Sequence, residues 1–239
     1  MNALKALNYH GQSFWFDSLD DESLTGGGWK SIIRWNDSQG MIFRPRGGDP
    51  AKVVAVAGFY LNRIDTEVDA RLTALEMQSR CSEKEASAKS LHGRMAIASA
   101  KLTYQSFLEI HDEQRWSELS QRWRALKSLG AKPLRLLWSG TEVKNPEYDE
   151  LKYLESLIGR DTVSAMAPLT AKAFRRRGRV SPTLEKGVEE ARATVVQLQE
   201  LGLAWEAPAG SLLADGVLAF RKSFDRLLDG IERRTRVAA

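Results

Sequence analysis

Residues 53–65 read VVAVAGFYLNRID, a run of nine almost wholly apolar residues that Asn62, Arg63 and Asp65 follow at once. An apolar run without polar alternation predicts a β-strand that is covered on both faces, which is the habit of parallel sheets under helices. We therefore predict a strand over 53–61. An arginine, Arg63, lies just past the end of this strand.

Other strand candidates are spread along the chain between long helical stretches. Short apolar segments predict strands over 13–17, 134–138 and 162–166, and MIF at 41–43 is a weaker candidate. Strands that alternate with helices predict an α/β fold with a parallel sheet of about four strands and long flanking helices. Eight strands do not fit, because the helices, above all over 66–129, take up too much of the chain.

Local signals refine this arrangement. Residues 29–35 fit a helical turn, and residues 36–50, rich in Gly, Pro, Asp and Asn, predict a connecting loop. Ser181 followed by Pro182 has the order typical of a helix start. The last helix is predicted to face the core with an apolar stripe of Val217, Phe220, Phe224, Leu227, Leu228 and Ile231.

Composition bounds the class of protein. The 239 residues are 43% hydrophobic and 28% charged, as in globular domains, and the net charge of +4 favours anionic ligands. The basic run at 175–179 has no interleaved aromatic residues, so a solvated helix end is preferred to nucleic-acid binding. No apolar run is long enough for a membrane span, and the N-terminus lacks a signal-peptide pattern, so we expect a cytoplasmic protein.

The cysteine and histidine residues indicate neither a disulfide nor a metal site. Cys81 is the single cysteine and excludes an internal disulfide framework. The three histidines, His10, His92 and His111, have no metal-binding spacing, so no metal site is predicted.

Several long segments together are similar to transaldolases, most closely to the longer bacterial form of that family. They are GQSFWFDSL (11–19), IDTEVDARL (64–72), AIASAKLTYQ (96–105), LLWSGTEVKNPEYDELKYLESLIG (136–159), DTVSAMAPLTAKAF (161–174) and GVLAFRKSFDRLLDGIE (216–232). The resemblance covers about 1–35 and 47–235. It implies a partial (β/α)8 TIM-barrel-like fold.

The resemblance also implies a chemistry. Transaldolases transfer a dihydroxyacetone unit between phosphorylated sugars of the pentose phosphate pathway without a cofactor, through a Schiff base on a lysine of the fourth strand. By this resemblance Asp17 is the proton-transfer group of the first strand. Arg63 and Lys144 hold the substrate phosphate after the sixth and seventh strands. Gly58 replaces a substrate-contacting serine.

The strands two to five of the family, with the Schiff-base lysine, have no counterpart in the sequence. We expect one domain over 1–239, in which 1–35 is the first βα unit, 36–50 is a bridge and 51–239 is the C-terminal half of the barrel. Without that lysine, activity in the family reaction is in doubt. Two hypotheses stay open: a transferase that is inactive or altered, and a non-catalytic remnant that binds a sugar phosphate or a protein.

Plainer roles stay open for each candidate residue. Arg63 could form a salt bridge with Asp65 or Glu67, Lys144 could be a solvated loop residue, and Asp17 could cap the following turn. A half-barrel leaves two sheet edges exposed, and exposed edges invite pairing. We therefore expect a homodimer, pairing with another barrel half, or a segment such as 36–46 folded over the open face.

Overall fold

The structure, a computed structural model, describes residues 34–36, 40–42, 56–78, 82–114, 118–203 and 206–237. The strands are β1 (Arg34–Asn36), β2 (Gly40–Ile42), β3 (Val56–Tyr60), β4 (Arg135–Ser139) and β5 (Thr162–Ser164). The helices are α1 (Leu61–Gln78), α2 (Ser82–Leu91), α3 (Met95–His111), α4 (Glu118–Ser128), α5 (Lys152–Ser156), α6 (Pro168–Arg177), α7 (Val188–Glu200) and α8 (Glu206–Val237).

The predicted parallel sheet is present. Strands β3, β4 and β5 lie side by side in that order, and both pairings are parallel. Gly58 pairs with Leu137, and Leu137 pairs with Val163. Four helices, α1 to α4, connect β3 to β4, and α5 lies in the connection from β4 to β5. The described sheet is therefore a three-stranded α/β arrangement, and the predicted strand over 13–17 lies outside the described residues.

The predicted loop over 36–50 is wrong in part. Strands β1 and β2 form a short antiparallel hairpin in which Trp35 pairs with Met41. The weak strand candidate at 41–43 thus exists, shifted by one residue, but it belongs to a separate two-stranded sheet. Arg34 is in this hairpin too, so the helical turn predicted over 29–35 does not extend to its end.

Strand β3 is covered on one face, where the sequence predicted two covered faces. Ala57 and Phe59 are buried, whereas Val56 is 42% and Tyr60 is 39% exposed. The buried face packs on the core that α1 and α3 supply, through residues such as Ile64. We name the other face, with Val56, Gly58, Tyr60, Arg135, Leu137 and Val163, the open face of the sheet.

The core behind the sheet is centred on Trp138. Its ring meets that of Phe59 edge to face with 5.4 Å between centroids, and its Nε1 donates to the Leu157 carbonyl at 3.1 Å. Helix α3 lies in the middle of the helical layer and packs against α7 through small residues, with Ala98 against Ala191. Small side chains let the two helices approach closely.

The last helix leaves four of the six residues of its predicted stripe exposed, and the side chains of the other two, Val217 and Phe220, lie outside the described part of the structure. In α8, Phe224 is 60% exposed and Ile231 is 51% exposed, and Leu227 and Leu228 are exposed as well. The prediction of a core-facing stripe is therefore wrong at these four positions, because no described part of the chain covers them. Neither α8 nor another helix in the described ranges is long and apolar enough to cross a membrane.

A partly buried histidine, His111, lies at the end of α3. His111 lies between the rings of Phe107 and Trp123, at centroid distances of 4.2 and 4.6 Å, and its Nδ1 is 2.8 Å from the Phe107 carbonyl oxygen. Burial lowers the pKa of His111 below its ordinary value of 6.5. The unfolded chain therefore binds more protons than the folded chain as the pH falls below 6.5.

The stabilising contribution of His111 is present above its unfolded pKa and is lost as the pH falls through its folded pKa. We expect the free energy of unfolding to drop as the pH falls below about 6.5. His111→Gln should show a shallower drop, measured by urea unfolding at each pH. Equal slopes for the two proteins would contradict this assignment.

Candidate functional site

Two hydrogen bonds from one residue, Asn62, join the carboxyl ends of β3 and β4. Helix α1 begins directly after β3, and the backbone N–H of Asn62 donates to the carbonyl of Gly140 at 3.1 Å. The Asn62 Nδ2 donates to the carbonyl of Glu142, also at 3.1 Å. Gly140 has a φ of +62°, and a Cβ there would lie 2.5 Å from Asn62 Oδ1. Asn62 thus fixes the start of α1 to the loop after β4.

The predicted phosphate ligands flank this junction. Arg63 follows Asn62 in the first turn of α1 and is half-buried. Lys144 lies two residues beyond Glu142 and is exposed, with its Nζ 3.5 Å from Glu142 Oε2. An exposed ion pair of this length contributes little stability, so an anion can compete for the lysine. The two cations lie on segments that Asn62 ties together at the carboxyl edge of the sheet.

Gly58 lies in the middle of β3 on the open face. A Cβ added there would meet Tyr60 Cε2 at 3.8 Å, which is ordinary van der Waals contact. The position therefore has room for a small side chain such as serine. Asp17, the predicted proton-transfer residue, lies outside the described residues.

The carboxylates that the sequence suggested as salt-bridge partners of Arg63 both have other contacts. Glu67 pairs with Arg71 one helical turn later, with 2.8 Å between Arg71 Nη2 and Glu67 Oε1. Asp65 is buried and pairs with Lys152, with 3.2 Å between Lys152 Nζ and Asp65 Oδ2. Glu67 and Asp65 are therefore both ion-paired within the described helices.

A buried network around Asp65 supports the junction from the helix side. Asp65 Oδ1 accepts from the backbone N–H of Ala96 at 2.7 Å, and Oδ2 accepts from the Tyr153 hydroxyl at 2.8 Å. Burial raises the pKa of Asp65, although Lys152, Ala96 and Tyr153 each favour its carboxylate form. Burial and the nearby Asp65 carboxylate also raise the pKa of Tyr153. Asp65 therefore ties α1 to the start of α3 and to α5.

Asp69, one turn later on α1, extends the network. It accepts from the backbone N–H of Gly93 at 2.8 Å and from the Tyr148 hydroxyl at 2.7 Å. Lys152 Nζ lies 3.9 Å from the centroid of the Tyr148 ring, a cation–π contact. Gly93 has a φ of +66°, and a Cβ there would lie 2.4 Å from Lys152 Nζ. The hydrogen bonds of Asp65 and Asp69 thus anchor the N-terminal half of α1, which carries Arg63, to neighbouring segments of the chain.

Sequence reasoning did not assign roles to Lys152, Tyr153 and Tyr148. Asp65 and Asp69 are four residues apart, a spacing that places both on one helix face, and that signal was available. Their partners lie as many as 88 residues away along the chain, so spacing alone could not identify them.

Two further lysines of the helical layer, Lys101 and Lys152, are held in other contacts. Burial lowers the pKa of Lys101, but this lysine lies on α3 and donates to the Lys186 carbonyl in the helical layer. Lys152 is held by Asp65 and the Tyr148 ring. In the described ranges no group of three or more His, Cys, Asp or Glu side chains could hold a metal ion.

The sequence is similar to proteins of one known family. The sequence profile of the Transaldolase/Fructose-6-phosphate aldolase family matches residues 36–231. The transaldolase of Thiobacillus denitrificans is 38% identical over 182 residues, which are 76% of this chain and 46% of that protein. Transaldolase 2 of Nostoc sp. is 32% identical over 194 residues, 80% of this chain and 49% of that protein. The transaldolase of Trichodesmium erythraeum is 30% identical over 205 residues, 84% of this chain and 52% of that protein.

The chain thus spans about half the length of the curated relatives it matches. The matched residues include the whole described parallel sheet and the segments that carry Arg63 and Lys144. A three-stranded parallel sheet under helices is what part of a (β/α)8 barrel contains. On these grounds the chain belongs to the transaldolase/fructose-6-phosphate aldolase family and forms a partial TIM-barrel-like fold.

Proposed function

We propose that this chain binds a phosphorylated sugar at the carboxyl edge of its sheet, with Arg63 and Lys144 on the phosphate. The observation that carries the proposal is the junction at Asn62, which fixes the segments of both cations to one another. Phosphate sites of α/β barrels commonly lie after late strands at this edge. Arg63 supplies a bidentate fork, and Lys144 supplies a point charge.

The remaining sugar would lie along the open face, beyond the phosphate. Gly58 faces this side of β3 and leaves space where the family places a serine hydroxyl. Asp17 is proposed as the proton-transfer group at the end of the first strand. No cofactor is needed for such binding, and phosphorylated sugars are the ligand class that the family assignment and the two cations favour together.

We propose that the family transfer reaction is lost in this chain. A Schiff base needs a lysine whose amine is neutral at working pH, through desolvation or a neighbouring cation. By the family resemblance, no segment of this sequence corresponds to the strand that carries that lysine, and Lys144 is exposed and ion-paired with Glu142. The second candidate function is an altered aldol chemistry. It would use the amine of Lys144, whose loop is joined by Asn62 to the segment that carries Arg63.

Pairing with a second protein chain that covers the open face is compatible with the proposed binding of a phosphorylated sugar. Val56 and Tyr60 are large apolar residues that stay more than a third exposed on that face. A second copy or another barrel half would cover them and the edge of β3. The chain would then act as a pairing half-barrel as well as a ligand-binding domain.

Thermal unfolding with fructose 6-phosphate tests the binding proposal. We expect millimolar fructose 6-phosphate to raise the Tm of the wild type, because a ligand that binds only the folded state stabilises it. Arg63→Ala should markedly reduce the rise. Arg71→Ala, on the same helix but paired with Glu67, is the matched control and should retain it. A rise of equal size in Arg63→Ala would contradict the proposed phosphate contact.

Borohydride reduction separates binding from catalysis. The chain is incubated with fructose 6-phosphate and sodium borohydride, and its intact mass is measured. We expect no mass increase, because no Schiff base forms. A covalent adduct that disappears in Lys144→Arg would instead establish the altered aldol chemistry and overturn the non-catalytic interpretation.

A further inference from the structure

Arg177, the last residue of α6, binds two consecutive carboxylates of the loop between β4 and α5 (140–151), which we name the β4–α5 loop. Its Nη1 and Nη2 donate to the two carboxylate oxygens of Asp149, at 3.1 and 3.4 Å. Nη2 and Nε also donate to Glu150 Oε1, at 2.9 and 3.3 Å. One guanidinium group therefore ties α6 to the loop that carries Lys144.

The geometry of these contacts makes them stronger than an ordinary surface ion pair. All three side chains are exposed, and an isolated exposed pair contributes little. Bidentate arginine contacts and charge networks are the exceptions, and both are present here. Asp149 Oδ1 also accepts from the backbone N–H of Leu151 at 2.7 Å. That N–H and the Arg177 guanidinium lower the pKa of Asp149, because both favour its carboxylate form.

Hydrogen bonds within the loop connect Asp149 to Lys144. Asn145 follows Lys144, and its carbonyl accepts from the backbone N–H of Tyr148 at 3.1 Å. Its Oδ1 accepts from the backbone N–H of Glu147 at 3.0 Å. These bonds close a turn that begins next to the lysine and ends next to Asp149. The position of Asp149 therefore constrains the backbone at Lys144.

The β4–α5 loop is held from both sides of β4. From the β3 side, α1 holds the loop through the hydrogen bonds of Asn62 and Asp69. From the β5 side, α6 holds it through Arg177. Lys144 lies along the loop between these attachments, whereas Arg63 lies on α1 itself. The relative placement of the two cations thus depends on the contact with α6 as well as on Asn62.

We propose that Arg177 is a positioning residue of the candidate phosphate site, which holds Asp149 and Glu150 so that Lys144 stays beside the segment of Arg63. The inference rests on the proposed function, in which Lys144 contacts the phosphate. It adds a residue that acts on the ligand through the β4–α5 loop. It also gives a role to one member of the basic run at 175–179, for which the sequence predicted a solvated helix end.

Isothermal titration calorimetry of the full chain with fructose 6-phosphate tests the proposal. We expect Arg177→Gln to raise Kd roughly threefold, a loss in the range of surface charge contacts. Arg176→Gln removes the same charge from the neighbouring exposed position of α6 and should bind as the wild type does. An unchanged Kd in Arg177→Gln would overturn the proposal. An equal rise in both variants would do so too, because net charge would then explain it.

A double-mutant cycle separates positioning from a general structural role. If Arg177 acts through Lys144, Arg177→Gln should change Kd little when Lys144→Gln is already present. A rise as large as that in the wild-type background would overturn the proposal, because Arg177 would then act on another part of the site.

Hydrogen exchange without ligand distinguishes this inference from the proposed function. Arg177→Gln should speed the exchange of backbone amides over 145–151, and Arg176→Gln should not. If the wild type does not bind fructose 6-phosphate, the proposed function fails and this inference fails with it. If the wild type binds, but Arg177→Gln alters neither the exchange of the loop nor Kd, this inference alone is wrong.

Discussion

Asp65→Ala is expected to lower the free energy of unfolding by about 3–5 kcal/mol, because removal of one partner of a buried ion pair leaves the other charge uncompensated. Lys152 Nζ lies 3.2 Å from Asp65 Oδ2 and is largely shielded from water. The same substitution leaves the Ala96 N–H and the Tyr153 hydroxyl without their acceptor. Urea unfolding at neutral pH measures the change.

The double variant Asp65→Ala/Lys152→Met is the control for this mechanism. It removes the stranded ammonium while keeping most of the length of the side chain, so it should be more stable than Asp65→Ala alone. Together with Lys152→Met alone, it completes a double-mutant cycle that reports the coupling between the two charges. A loss below about 1 kcal/mol in Asp65→Ala would contradict the clamping role of the network.

Trp138→Ala is expected to cost about 3–5 kcal/mol, which is typical when a large aromatic side chain is removed from a core. Trp138 is fully buried, meets Phe59 edge to face and donates from Nε1 to the Leu157 carbonyl. Trp138→Phe keeps much of the ring volume and loses the donor, so it should cost less. Denaturant unfolding of both variants gives the comparison, and equal losses would contradict the packing account.

The positions of the strands could be predicted from the sequence, but which faces of the strands are buried could not. The apolar run before Arg63 predicted β3, and LRLLW predicted β4 to within one residue. Val56 and Tyr60 are apolar or aromatic, as Ala57 and Phe59 are, so the pattern indicated two covered faces. Which face lies under helices depends on the tertiary arrangement, which residue type does not encode.

A local sequence signal for a helix start can also be overridden by the tertiary structure. Ser181–Pro182 predicted a helix start, yet α7 begins at Val188, after Gly187 with its φ of +66°. The backbone N–H groups of Thr183 and Leu184 both donate to the Ile158 carbonyl, and Leu184 is fully buried. These long-range contacts stabilise the segment outside a helix. Tertiary hydrogen bonds here outweigh a favourable capping sequence.

The residues of the candidate site, like the elements of the fold, could be predicted from the sequence only in part. Resemblance to a family predicted Arg63 and Lys144 as phosphate ligands, and the structure has both on segments that Asn62 joins. The clamp formed by Asp65, Lys152 and Tyr153 was not predicted, because its members come from distant parts of the sequence. Local patterns show which residues lie on a helix face, but they do not show what that face meets.

Isothermal titration calorimetry with fructose 6-phosphate and with unphosphorylated fructose tests most directly whether the sheet edge holds a sugar phosphate. We expect fructose 6-phosphate alone to bind, with Arg63→Gln and Lys144→Gln each raising Kd about tenfold, the size of a 1.4 kcal/mol loss. Arg71→Gln should bind as the wild type does. Equal binding of both sugars, or a Kd unchanged in Arg63→Gln and Lys144→Gln, would contradict the account.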